Sequence, residues 1–114
     1  MQIGDCFNEP DGDQVVSVEG LPCTNPHDAE VFALWDLPFA SLPTDDEAVL
    51  DTALNGCYSY FAGYVGATYE SSSLDIWVFT PTPESWENGD REVLCYVYDF
   101  AGNKLSQVAR DSRL

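Results

Sequence analysis

The sequence predicts an α+β domain: an antiparallel sheet of about five to six strands packed on one main helix, at about residues 45–62, with two disulfides. Three observations carry this. Cys6, Cys23, Cys57 and Cys95 are even in number, and none forms the C-x-x-C spacing of zinc ribbons or redox motifs. One segment repeats apolar residues at helical spacing behind a capping signature. Several shorter segments rich in β-branched and aromatic residues lie between turn clusters.

A length of 114 residues suits a single domain spanning 1–114. Its 45% apolar content supplies the burial that an acidic disordered chain lacks, so it should fold.

Taken in order, Ile3 to Phe7 reads as a short edge strand. The turn cluster Asn8 to Asp13 leads from it into Val15, Val16 and Val18, as in a hairpin. Pro22 and Pro26 remove backbone donors, so residues 21–28 should form a shaped loop instead of a ladder strand. Glu30 to Leu37 is strand, with Val31, Ala33 and Trp35 facing one way and Phe32, Leu34 and Asp36 the other; two apolar faces predict a central position.

Thr44 with Glu47 forms a capping box, and Asp45 and Asp46 suit a helix N-terminus. Val49, Ala53, Cys57, Tyr60, Phe61 and Tyr64 then mark the buried stripe, with Gly63 and Gly66 ending the helix. Leu74 to Thr80 is strand. Thr82 as N-cap, Pro83 at the first helical position and Gly89 beyond the end define a short helix. Arg91 to Asp99 is the strongest strand, and Leu105 to Ala109 is expected to return beside it as an antiparallel edge.

Four cysteines allow three connectivities; proximity along the chain favours Cys6 with Cys23 and Cys57 with Cys95. Bridges in a small acidic chain point to an oxidising, extracellular compartment. No run of 18 apolar residues is present, so this segment is not expected to insert in a membrane. Met1-Gln2-Ile3-Gly4 lacks signal-peptide features, so any leader or anchor is expected to lie outside this chain.

Four pieces occur in order: Gly4-Asp5-Cys6-Phe7; Cys23 with Pro26-His27-Asp28-Ala29-Glu30-Val31; Cys57; and Trp86-Glu87-Asn88-Gly89-Asp90-Arg91 with Cys95. Together they resemble the septum-formation family of actinobacterial envelope proteins. The resemblance implies an extracytoplasmic domain, often behind a lipoprotein signal or one membrane-spanning segment. It also implies a connection to cell division and no established catalytic activity.

Twenty acids against four cations give a net charge of -16, spread along the chain. Direct binding to nucleic acid or anionic lipid is therefore disfavoured, since both require basic patches.

His27, the only histidine, has Asp28 and Glu30 beside it, but no further ligand or nucleophile is placed to complete a metal or catalytic set. It is expected to be structural, its ring bonded to Asp5, Asp28 or loop carbonyls. Arg91, next to Asp90, is expected to neutralise Glu30 or Glu92. Asp11-Gly12-Asp13 is a fragment of a calcium loop without the remaining ligands, so no metal, cofactor or catalytic residue is assigned. Trp86 and Tyr69 are the expected exposed contact residues.

The expected function is a non-enzymatic extracellular interaction module that presents an acidic, aromatic-bearing face to an envelope protein or cell-wall component. The alternative is an acidic decoy or immunity-type inhibitor that mimics nucleic acid or blocks a basic active site.

Overall fold

The computed structural model describes residues 2–8, 20–39 and 46–114. The expected strand at Val15 to Val18, the Asp11 to Asp13 turn and the capping residue Thr44 lie outside the described residues.

Among the described residues five strands form one antiparallel sheet: β1 (Cys6–Phe7), β2 (Gly20–Leu21), β3 (Ala29–Asp36), β4 (Leu74–Phe79) and β5 (Glu92–Asp99), in the order β2-β1-β3-β5-β4. β3 is central, as its two apolar faces require. Leu21 pairs with Cys6, so the ladder reaches one residue into the segment expected to be pure loop. The expected strand at 105–109 reduces to a single bridge, His27 with Leu105. Within it only Leu105 and Ala109 are buried, and Ser106, Gln107 and Val108 are exposed, so a longer pairing would bury little.

The main helix α1 spans Asp46–Val65 and ends at Gly66, whose φ of +86° is a backbone state that glycine adopts without a Cβ penalty. Its buried stripe is Val49, Ala53, Cys57, Phe61, Tyr64 and Val65. Tyr60, expected in that stripe, is 48% exposed. It directly precedes Phe61, and the roughly 100° between successive helical residues turns its side chain away from the Ala53, Cys57 and Phe61 line toward solvent. The short helix α2 (Pro83–Glu87) is capped as its sequence dictates: the Thr82 side chain accepts from Ser85 N, and the Ser85 hydroxyl accepts from Thr82 N.

The core lies between α1 and one sheet face, where Phe32, Ala33, Ile76, Val78, Val93, Cys95 and Val97 meet the helix. Full burial of each phenylalanine, isoleucine or valine there contributes roughly 1.5–3 kcal/mol. The Cys57–Cys95 bridge joins α1 to β5, and Cys6–Cys23 ties β1 to the loop after β2.

The strand β3 departs from simple alternation. Its register slips between Val31 and Ala33, a bulge that leaves Phe32 unpaired. Phe32 and Ala33 therefore both face the helix, while Val31 joins the opposite face with Ala29 and Leu34. This corrects the expected grouping of Val31 with Ala33 and Trp35.

Candidate functional site

The loop before β3 and the start of that strand bring together three of the residues marked by the sequence. His27 and Glu30 are fully buried beside Cys6. Burial of a carboxylate requires compensating donors. Tyr64 of α1 supplies one at 2.5 Å from Oε2, and the backbone N–H of Ala109 supplies another at 2.8 Å from Oε1. Glu30 thus ties sheet, helix and C-terminal segment at one point. Burial, and then the hydrogen bond to Glu30, push the Tyr64 hydroxyl well above the usual phenol range.

His27 Nδ1 lies 2.8 Å from the carbonyl oxygen of Asn25, which can only accept, so the proton sits on Nδ1. Nε2 is the one buried side-chain polar atom among the described residues without a partner. Ligand atoms of Cys6, His27 and Glu30 lie within 4.8 Å of one another. Cys6 is oxidised to a disulfide and offers no thiolate, which leaves two ligands where zinc takes three or four. The cluster is a buried polar junction and does not meet the requirements of a metal centre.

Asp28, in contrast, is at the surface and pairs with Lys104 at 2.8 Å. Trp86 is only 8% exposed, not the exposed contact that its place in the sequence suggested. The Arg91 guanidinium lies 3.6 Å from the centroid of its ring and donates to the carbonyls of Trp86 and Asp90. Arg91 therefore closes the corner after α2 instead of neutralising Glu30 or Glu92. Asp90 Oδ1 accepts from Glu92 N, shaping the same turn.

Tyr69 is half-buried in a surface groove of about 390 Å³ with Tyr58, Phe61 and Glu70. Its hydroxyl donates to Asp75 Oδ1 at 2.7 Å; that bond first, and burial second, raise its ionisation above the usual range.

The second face of the sheet carries no helix among the described residues. Side chains directly opposite on paired strands share a face, and residues two apart along a strand stay on it. β5 therefore presents Glu92, Leu94, Tyr96 and Tyr98; β4 presents Asp75, Trp77 and Phe79; beyond its bulge, β3 presents Leu34 and Asp36. Phe7, Phe79 and Tyr96 pack in tilted and edge-to-face pairs with centroids 5.1–6.0 Å apart. Phe7 and Val31 are buried at the β1 side, whereas Phe79, Leu94 and Tyr98 are half-buried and Trp77 is 44% exposed.

Sequence reasoning passed over Trp77, Asp36 and Glu92 as site residues. A signal for Trp77 existed: in Leu74-Asp75-Ile76-Trp77-Val78-Phe79 it shares its phase with Asp75, which marks the outer side.

A sequence profile described as septum formation matches residues 1–95. No curated protein and no solved structure matches the chain.

Proposed function

The chain belongs to the septum-formation family, and on that premise we propose that it is a non-catalytic interaction module of the bacterial cell envelope, linked to septum formation and cell division. Two disulfides and this domain fit an extracellular or envelope protein. No helix among the described residues is long and apolar enough to cross a membrane. The charge of -16 disfavours direct contact with nucleic acid.

The observation that carries this reading is the sheet face that carries no helix among the described residues, with the exposed Trp77 on it. An exposed indole beside half-buried Phe79, Leu94 and Tyr98 is an apolar patch of the kind that partners bury. Glu30, His27, Trp86 and Arg91 support the scaffold that holds this face.

The test is binding of the purified domain to isolated cell-envelope material. Truncating a central aromatic hot spot costs about 2 kcal/mol or more, so Trp77→Ala should weaken binding on the order of thirtyfold or more. Tyr60→Ala, on the exposed side of α1, should leave it unchanged. Equal binding by Trp77→Ala and the parent domain would remove the basis of the proposal. Recovery of only nucleases or nucleic-acid-binding proteins would support the decoy alternative.

A further inference from the structure

We propose that the helix-free sheet face receives a cationic polypeptide segment, with lysine or arginine side chains set against Asp36 and Glu92 and its apolar body against Trp77 and Phe79. The proposal rests on the reading of this face as the contact surface and names the chemistry of its partner.

Asp36 and Glu92 are register partners on β3 and β5. Directly opposed side chains lie about 5 Å apart at Cβ, and like charges so placed repel. Both residues are exposed at one end of the aromatic face.

The chain's own lysine and arginine side chains lie elsewhere. Of its four Lys and Arg residues, Lys104 pairs with Asp28, Arg91 covers Trp86, Arg110 lies 5.1 Å from the Tyr64 ring centroid, and Arg113 sits by Gly66. Among the described residues the one ion pair within 4.0 Å is Lys104 with Asp28. A lysine or arginine between Asp36 and Glu92 must therefore come from another molecule. There it converts a repulsion into two attractions, and the overall charge of -16 steers its approach.

The rest of the face selects the class of partner. A neutral glycan leaves the carboxylate pair uncompensated, and an anionic wall polymer is repelled by it. A lone divalent ion leaves Trp77 and Phe79 uncovered. A polypeptide segment with alternating cationic and apolar side chains satisfies both requirements, and arginine or lysine also gains from contact with an exposed indole.

The probe is a short synthetic peptide alternating lysine with valine, compared with its glutamine-for-lysine counterpart, in calorimetric titration of the disulfide-intact domain. The lysine peptide should bind and the glutamine peptide should not. Asp36→Asn with Glu92→Gln removes two exposed ion pairs and should weaken binding on the order of fivefold, whereas Asp51→Asn with Glu84→Gln, the same charge change elsewhere, should weaken it by at most about twofold. The face variant loses a repulsion, so its thermal midpoint should be unchanged or higher, which separates lost binding from lost fold.

Equal weakening by the two double variants, or equal binding of the glutamine peptide or of a neutral wall glycan, overturns the cationic assignment. If the lysine peptide fails to bind while Trp77→Ala still abolishes envelope binding, this inference falls and the module reading stands. If Trp77→Ala leaves envelope binding intact, both fall.

Discussion

Gly56 of α1 lies so close to Trp35 of β3 that a Cβ built on it would stand 2.1 Å from the indole Cζ2. The ring is held there by its N–H, which donates to Cys95 Sγ at 3.3 Å. Two opposing effects act on a Gly56→Ala change. Helix propensity favours alanine by about 1 kcal/mol, while overpacking against a fixed ring costs about 1–3 kcal/mol or more. At 2.1 Å the clash dominates. Urea denaturation should show a net loss of stability, and a stabilised Gly56→Ala protein would mean that the ring moves freely.

Glu30→Ala removes the acceptor shared by Tyr64 and the Ala109 amide. Leaving buried donors unsatisfied costs about 1–3 kcal/mol each. The expected loss is therefore about 2–6 kcal/mol, accompanied by faster hydrogen exchange at Ala109. Unchanged exchange at that amide would show that Glu30 does not hold the C-terminal segment.

Alkaline pH should unfold the domain partly through Tyr64. Burial and Glu30 raise its ionisation in the folded state above that of the unfolded chain. Its contribution is complete below the ordinary phenol pKa of about 10 and is lost as pH rises through and beyond it. Tyr69 is shifted in the same direction by its bond to Asp75. Stability measured across that range should fall less steeply for Tyr64→Phe, and least for Tyr64→Phe with Tyr69→Phe. Identical slopes for the parent and both variants would contradict this account.

The two disulfides close separations of 17 and 38 residues. On the chain-entropy relation they contribute about 3 and about 4 kcal/mol, so replacing Cys57 and Cys95 by serine should cost more than replacing Cys6 and Cys23. Denaturation of the two double variants measures this, and peptide mapping without reductant should recover Cys6 linked to Cys23 and Cys57 to Cys95. The opposite order of stability would point to native-state contacts of the first pair, such as Cys6 against the buried Glu30, outweighing loop length.

Local signals made much of the fold legible. The Thr82-Pro83 start of α2 and the two-faced apolar runs of β3 and β5 arise from residues a few positions apart. The burial of Glu30 was not legible, because its donors lie 34 and 79 residues away. Trp86 was misjudged for a related reason: Arg91 folds back over its ring, a contact that an isolated tryptophan in an acidic turn does not announce. The aromatic face was foreseen as a property of the domain, but its residues were not, since the phase of β3 hides its bulge when both faces are apolar.

That bulge acts as a phase switch for everything after it in β3. Without the bulge, strict alternation through Phe32 would put Ala33 and Trp35 on the outer face with Val31, and Asp36 toward the helix. The bulged strand instead sends the indole inward against α1 and the carboxylate outward opposite Glu92. A strand straightened through Phe32 with no residue removed would therefore exchange an inward indole for a buried charge and withdraw half of the acidic pair, whereas deletion of Phe32 itself would keep Trp35 inward and Asp36 outward. Core composition and surface polarity are thus set by the same backbone irregularity, so change at this point in the chain is constrained by both at once.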